Sequence, residues 1–202
     1  MHRLLLSLIL TAAIAGAAAA QGAPQPQRAV ATFAGGCFWC TEADFDKVPG
    51  VLSTTSGYIG GKLANPGYSQ VSAGGSGHAE AVEVVYDPAK VSYAQLLAFF
   101  WRHVDPTVKD RQFCDVGSQY RTAIFVHNDA ERKLAEDSKK QVAAELKQPI
   151  HTQIAAAGAF YKAEDYHQDF YRKNPTKYKF YRWNCGRDQR LEQIWGARKG
   201  DS

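Results

Sequence analysis

A strand that leads through two glycines into a helix constrains the fold of this chain more than any other feature. Residues 29–34 (AVATFA) alternate in the manner of a strand. Gly35 and Gly36 break that pattern, and residues 37–47 then have the character of a helix. Cys37 is the first residue after the glycines. The sequence therefore predicts a strand–turn–helix unit with a thiol at the bend.

The remaining patterns mix strands and helices along a chain of 202 residues. Capping signals at Ser92/Gln95 and Asn128/Glu131 mark two helix starts. Further strands are predicted at 51–59, 79–86, 121–126 and 150–155, and further helices at 92–101, 128–147, 164–173 and 187–195. The second and third strands have no helix between them, so a purely parallel sheet is excluded. We expect one α+β domain with a mixed sheet and an irregular, aromatic and basic C-terminal tail.

The N-terminus has the pattern of a secretory signal peptide. A short basic start precedes the apolar residues 4–19, and Ala18–Ala20 form a small-residue cleavage site. We expect residues 1–20 to be removed, residues 21–28 to form a flexible leader, and residues 29–202 to form the single domain of an exported, periplasmic protein. The alternative is a membrane anchor, which the shortness of the apolar run disfavours.

The four cysteines are Cys37, Cys40, Cys114 and Cys185. Two structural disulfides are the default in an exported protein, but a chain of this size can form a core without them. Cys37 stands at a predicted helix start, where unpaired N–H groups and the helix dipole favour a thiolate with a lowered pKa. We interpret Cys37 as a nucleophile; a buried or disulfide-bonded structural cysteine is the alternative.

Two aromatic residues, Phe38 and Trp39, follow this cysteine directly. Adjacent residues at a helix start do not easily both point into the core. An accessible tryptophan beside a thiolate predicts a small apolar pocket that takes part of a substrate, such as a methyl group. The alternative is that both rings belong to the core.

Glu80 shares its strand face with Val82, Val84 and Tyr86 rather than with solvent. A carboxyl group on an apolar face has a raised pKa and can hold a proton near neutral pH. The alternative is a residue in water at the start of the strand.

Three further polar side chains are candidates for binding a polar substrate oxygen. Tyr68 lies in a glycine-rich loop, and Tyr120 follows Asp115 closely in CDVGSQY. Any of the three could instead serve the fold, with Asp115 capping a turn.

The Cys37–Cys40 spacing, C-x-x-C, also matches two other kinds of site. It occurs in thioredoxin-like disulfide oxidoreductases and in half of a zinc site. Zinc requires a second close pair, and Cys114 and Cys185 lie far apart in sequence, so we expect no metal. A general thiol–disulfide oxidoreductase remains the main alternative function, and a secreted binding domain with two disulfides is a third.

Four segments in this order, GGCFWC, GHAEAVEVVYDP, CDVGSQYR and AEDYHQDFY, resemble the A-type peptide methionine sulfoxide reductases. The resemblance spans residues 31–196. It implies a ferredoxin-like two-layer α/β sandwich and thiol-dependent reduction of the S epimer of methionine sulfoxide, free or in proteins. It implies a thioredoxin-like reductant and no cofactor.

The same resemblance implies roles for individual residues. The nucleophile falls on Cys37, the pocket aromatics on Phe38 and Trp39, and the acid on Glu80. The residues around the sulfoxide are Tyr68, Asp115 and Tyr120. Cys37 becomes a sulfenic acid, which a second thiol converts to a disulfide.

The resolving thiol is the open point of this assignment. Cys185 is our first choice because it lies in a glycine-containing tail. Cys40 and Cys114 both depart from the commoner family residues and compete with it, and a relay through two thiols is possible. We expect a monomer that binds no nucleic acid.

Overall fold

The computed structural model describes residues 27–196. The predicted signal peptide, most of the predicted leader and residues 197–202 lie outside this range. Within residues 27–196, no helix is long and apolar enough to cross a membrane.

A six-stranded sheet forms the centre of the described fold. Its strands are β1 (Ala29–Gly35), β2 (Val51–Ile59), β3 (Ala79–Tyr86), β6 (Thr122–Val126), β7 (Gln153–Ala156) and β8 (Tyr161–Lys162), while β4 (Arg111–Gln112) and β5 (Asp115–Val116) form a separate small ladder. The strand order is β7-β6-β1-β3-β2-β8. Strands β6 and β7 are parallel and the other pairs antiparallel, so the predicted mixed sheet is confirmed.

Seven helices occur among the described residues. They are α1 (Phe38–Phe45), α2 (Tyr68–Ser72), α3 (Tyr93–Arg102), α4 (Asp129–Leu146), α5 (Phe170–Lys173), α6 (Pro175–Asn184) and α7 (Arg187–Trp195). Strand β3 lies between β1 and β2, which α1 connects. This is the split βαβ arrangement of a ferredoxin-like sandwich, as the resemblance implied.

The main apolar core lies between the sheet and helices α1, α3 and α4. Phe33 of β1 stacks on Phe45 of α1 and Phe100 of α3, with ring centroids 5.0 and 5.1 Å away. Val82 and Val84 of β3 belong to the same core. Burial of these rings and aliphatic side chains fixes the β1–α1 unit against the sheet.

The sequence predicted strand β3 and the starts of helices α3 and α4 correctly. Strand β3 has the predicted bounds. The Ser92 hydroxyl accepts a hydrogen bond from the Gln95 N–H, and the Asn128 side chain accepts one from the Glu131 N–H. Helices α3 and α4 begin at these caps, as predicted.

The region after β8 differs from the prediction. The helix expected at 164–173 is wrong for residues 164–169, which form a turn, and only α5 is helical. Asp169 adopts a left-handed conformation with φ 52°, which interrupts a helix there. Helix α6 is not predicted by the sequence analysis. Pro175 is its first residue, a position that suits proline. Two short helical segments, α2 and a 3₁₀ turn at Ser118–Tyr120, lie in the predicted loops.

Candidate active site

Cys37 lies at the bend between β1 and α1, as the sequence predicted. Gly36 adopts φ +85°, and a Cβ atom there would lie 2.5 Å from the Cβ of Gln112. Only glycine fits this approach. The Gln112 side chain is tied in turn to the backbone of Asp105, by bonds of 2.9 and 2.7 Å. The bend that carries the nucleophile candidate is therefore rigidly clamped.

Cys37 and Cys40 are both buried free thiols, and a hydrogen bond joins their side chains. Burial raises the pKa of Cys37, and the neighbouring Cys40 adds to this. The lowered pKa of Cys37 expected from the helix start is therefore wrong. The physical reason is that the Cys37 side chain makes no cap hydrogen bond, while burial withdraws it from water. The Cys37 S–H instead lowers the pKa of Cys40.

The start of α1 was expected to stabilise a thiolate, but Glu80 accepts a hydrogen bond there instead. The Phe38 N–H donates to Glu80 Oε2 at 3.1 Å. The Glu80 side chain is only 2% exposed, which confirms the face predicted from strand alternation and excludes a residue in water. Burial raises the pKa of Glu80 to about 8 despite this hydrogen bond. Glu80 is consequently a carboxylic acid at neutral pH, beside the cysteine.

The structure brings the three predicted polar residues to this same place. Burial and the charge of Glu80 raise the pKa of Tyr68 to about 12 and raise the pKa of Tyr120. Cys37 and Asp115 act electrostatically on both tyrosines. Both phenols are therefore hydrogen-bond donors at neutral pH, positioned around one carboxylic acid and one thiol.

The two aromatic residues after Cys37 have different environments. Phe38 is fully buried, with its ring centroid 5.9 Å from that of Tyr58. Trp39 is half-buried and stacks on Phe170 at 3.7 Å, with the edge of Tyr181 at 5.6 Å. Phe38 therefore belongs to the core, whereas Trp39 is only partly buried and packs against it. The site thus has an aromatic wall beside its polar groups.

Cys114 and Cys185 form a disulfide. Cys114 is exposed and Cys185 is half-buried at the end of α6. Of the four cysteines, therefore, one pair is bonded and one is free, unlike the two structural disulfides of the binding-domain alternative. The cysteine sulfurs and an Asp115 oxygen lie within 4.8 Å of one another, but the disulfide uses both sulfurs, so this cluster offers no thiolate to a metal.

Asp115 and Tyr181 lie between the two cysteine pairs. The Tyr181 hydroxyl donates to Asp115 Oδ2 at 2.5 Å, and it also interacts with the Cys37 side chain. Asp115 in turn contacts Cys114, whose sulfur lies 3.7 Å from Oδ1. Burial raises the pKa of Asp115. A short polar path therefore joins the buried thiols to the disulfide.

Sequence reasoning assigned no role to several residues that contact the site. The Tyr68 N–H and the Tyr58 hydroxyl both donate to Glu164, each at 2.8 Å. Trp39 donates its indole N–H to His167. The signal for Glu164 and His167 was AEDYHQDFY, which carried the resemblance but no role. Tyr181 and the buried Arg187 lay in the aromatic and basic tail, where no local pattern distinguished them.

Known proteins are similar to this chain in sequence and in fold. A family model described as "Peptide methionine sulfoxide reductase" matches residues 29–199. "Peptide methionine sulfoxide reductase MsrA 2" of Caulobacter vibrioides is 50% identical over 199 residues, covering 98% of this chain and 100% of that protein. Mxr1 of Saccharomyces cerevisiae in reduced form is similar with a TM-score of 0.71 and 33% identity, over 74% of this chain and 87% of that one. Mxr1 of Saccharomyces cerevisiae in complex with Trx2 is similar with a TM-score of 0.52 and 26% identity, over 71% of this chain and 84% of that one.

Proposed function

This chain belongs to the peptide methionine sulfoxide reductase family, and from that premise we propose how its own residues perform the reaction. The enzyme reduces the S epimer of methionine sulfoxide, free or in proteins, to methionine. The observation that carries this proposal is the placement of Cys37 beside the buried Glu80 at one helix start, where burial raises the pKa of Glu80 to about 8.

The first step uses the polarity of the sulfoxide group. The methyl group lies against Phe38 and Trp39, and the oxygen accepts hydrogen bonds from Tyr68 and Tyr120. Glu80 gives its proton to that oxygen, which makes the sulfur electrophilic. Its Oε2 accepts from the Phe38 N–H, which leaves the other oxygen to carry the proton.

The Cys37 thiol then attacks the sulfur, and its S–H proton passes to the Glu80 carboxylate, which has just given its own proton to the oxygen. The oxygen passes to Cys37, methionine leaves, and Cys37 is oxidised by two electrons to a sulfenic acid. Substrate that enters this buried site meets a thiol already oriented at a rigid bend. Proximity and orientation, rather than a standing low pKa, favour the attack.

In the second half of the reaction, thiol–disulfide exchange passes the oxidised state from the buried Cys37 to the more accessible Cys114 and Cys185. Cys185 attacks the Cys37 sulfur and releases water, forming a Cys37–Cys185 disulfide. Cys114 then attacks Cys185, which frees Cys37 and leaves Cys114–Cys185. The Cys114–Cys185 disulfide, with Cys37 and Cys40 as free thiols, is the arrangement that this relay would leave, and it supports the proposed order of steps.

A second, shorter route runs through Cys40. Its side chain is hydrogen-bonded to Cys37, so it is placed to condense with the sulfenic acid directly. In that route, Cys114–Cys185 plays no part in turnover. The two routes predict different results for Cys185→Ser, which slows recycling only if the reaction runs through Cys185.

The reductant of this enzyme is a thioredoxin-like dithiol protein. The exposed Cys114 suits attack by an external thiol. The signal-peptide pattern of residues 1–20 supports export to the periplasm, and the protein acts as a monomer in a single domain. Secretion of a fusion to residues 1–28 and sedimentation of the mature protein would test these two points.

A single-turnover assay tests the proposed chemistry. Pre-reduced protein is mixed with racemic methionine sulfoxide without reductant, and methionine and the remaining epimers are measured. Formation of methionine with loss of the S epimer supports the proposal. A general thiol–disulfide oxidoreductase would form no methionine, while still exchanging with small disulfides.

A further inference from the structure

One buried guanidinium lies among the neighbours of three of the four cysteines. Arg187 is the first residue of α7, two positions after Cys185, and it is only 2% exposed. A positive charge in the first turn of a helix is unfavourable to the helix dipole, so α7 by itself does not account for this arginine. A buried charge needs partners elsewhere in the fold.

Two backbone carbonyls accept hydrogen bonds from Arg187. Its Nη1 donates to the Gly35 carbonyl at 3.3 Å, and its Nη2 donates to the His103 carbonyl at 2.8 Å. Gly35 precedes the bend at Gly36, and a Cβ atom on Gly36 would lie 4.0 Å from Nη1. The start of α7 is therefore attached to the backbone that carries the nucleophile Cys37.

The same guanidinium contacts the loop that carries Cys114. Its central carbon lies 4.6 Å from the centroid of the Phe113 ring, which is a cation–π contact. Phe113 directly precedes Cys114 and adopts a left-handed conformation with φ 53°. Such a conformation is unfavourable for a phenylalanine and persists because the surrounding contacts hold it. One arginine side chain therefore connects the segments of Cys37, Cys114 and Cys185.

A buried carboxylate on α1 holds the Cys185 segment as well. Asp44 is 3% exposed, and its Oδ1 accepts a hydrogen bond from Arg182 Nη1 at 2.9 Å. The Arg187 Nε lies 3.7 Å from its Oδ2. Burial raises the pKa of Asp44, but the positive charges of Arg182 and Arg187 outweigh this effect, so that the pKa is lowered. Asp44 is consequently charged at neutral pH and pairs with an arginine on each side of Cys185.

We propose that Arg187 is a positioning residue for the thiol relay: its guanidinium fork holds the segments of Cys37, Cys114 and Cys185 close enough for their sulfurs to exchange. This inference rests on the proposed function. In the relay, Cys185 displaces the oxygen of the Cys37 sulfenic acid, which leaves as water with the Cys185 proton. Cys114 then displaces Cys37, and its proton passes to the Cys37 sulfur. Both steps need two sulfurs in contact and in line, and a fixed backbone supplies that proximity.

The test follows the two halves of the reaction separately in one rapid-quench experiment. Pre-reduced protein carrying Cys40→Ser, which closes the shorter route, is mixed with methionine sulfoxide without reductant. Methionine reports the first half. Trapping of the sulfenic acid with dimedone and mapping of disulfides by mass spectrometry report the second half.

The main variant is Arg187→Lys, and a second arginine on the same helix provides the control. Lysine keeps the positive charge of Arg187 but lacks the fork that reaches both carbonyls. Arg190 also lies on α7 and pairs with Asp105 at 2.8 Å, so Arg190→Lys is the matched substitution.

We expect Arg187→Lys to slow disulfide formation on the order of 10–100-fold, the effect of a misplacement of about 1 Å, so that the sulfenic acid accumulates. Methionine formation should fall by a clearly smaller factor, and Arg190→Lys should change neither rate. An equal fall in both rates would mark a merely structural role and overturn the proposal. An unchanged rate of disulfide formation would overturn it as well.

A second variant keeps the proposal testable if Arg187→Lys fails to fold. Phe113 is only half-buried, and Phe113→Leu removes the ring that the guanidinium contacts while Arg187 stays in place. Loss of this cation–π contact should slow the attack of Cys114 about two- to fivefold, so that the Cys37–Cys185 disulfide accumulates. No accumulation would overturn the proposal. Failure of the proposed function is distinct from these results, because the wild type would then form no methionine.

Discussion

The two cysteine pairs of this protein lie in opposite environments. Cys37 and Cys40 are buried free thiols at a rigid bend, surrounded by aromatic rings and by Glu80. Cys114 and Cys185 form a disulfide between a loop and the end of α6, with Cys114 exposed.

The contrast agrees with the proposed partners of each pair. A small sulfoxide is activated best where water is excluded, since proton donation and hydrogen bonding are stronger there. A protein reductant cannot enter such a site and needs an accessible sulfur. If the two pairs divide the reaction in this way, they need a connection, and the hydrogen-bonded Tyr181 and Asp115 lie between them.

Replacing the nucleophile should give the largest effect. We expect Cys37→Ser to lower methionine formation on the order of 10⁴-fold or more, because serine offers no comparable nucleophile. Cys40→Ser is the matched control on the same helix and should retain the first turnover. Methionine formation by the Cys37→Ser protein at the wild-type rate would remove Cys37 from its role.

Removing the proton of Glu80 should give the next largest effect. We expect Glu80→Gln to slow single-turnover reduction 10²–10⁴-fold, the order of magnitude of a general acid. Glu83→Gln, on the same strand but only half-buried, is the control and should change the rate little. Equal rates for the two variants would show that Glu80 is not the general acid and has only a structural role.

Breaking the outer pair should affect recycling but not the first turnover. We expect Cys185→Ser to form one methionine per enzyme and then to turn over about tenfold or more slowly with thioredoxin. Cys40→Ser again serves as the comparison. If Cys185→Ser recycles normally and Cys40→Ser does not, the short route through Cys40 carries the reaction.

The pH dependence of the first turnover should report the titration of Glu80, which lies beside the buried pair. Glu80 is protonated below its pKa of about 8 and ionised above it, so its ability to donate a proton is lost as the pH rises. We expect the single-turnover rate to fall roughly tenfold per pH unit above that value. In Glu80→Gln this decline should be absent. An unchanged decline in that variant would assign it to another group.

A change remote from both pairs should have the smallest effect. Ser92→Ala removes the hydroxyl that caps α3 and should lower the free energy of unfolding by about 1 kcal/mol. Denaturant unfolding measures this directly. Neither the first turnover nor recycling should change; a loss of either would mean that the chemistry of the two pairs depends on global stability.

Residues with local signals were predictable from the sequence. The alternation of β3 placed Glu80 on the buried face, and the Gly35–Gly36 break placed Cys37 at the start of α1. The caps of α3 and α4 followed from short side-chain patterns. In each case the decisive hydrogen bond or face lies within a few residues of the signal.

Other features depend on contacts that are distant in sequence. The bond between Trp39 and His167 joins residues 128 positions apart, and that from Tyr181 to Asp115 spans 66. No local pattern predicts such partners. The pKa of Cys37 was predicted to be lowered, because the helix start is a local signal. It is raised instead, because the burial of Cys37 depends on the whole fold.

The most direct test of the account follows the thiols during a single turnover. Pre-reduced protein is given racemic methionine sulfoxide without reductant, quenched over time and mapped for disulfides by mass spectrometry. We expect the S epimer to be consumed and Cys114–Cys185 to be the first stable disulfide. Cys37 is then free to react again, with Cys40 as its second partner, which gives about two methionines per protein. Methionine formation with Cys114 and Cys185 still reduced would contradict the relay, and no methionine at all would contradict the reductase.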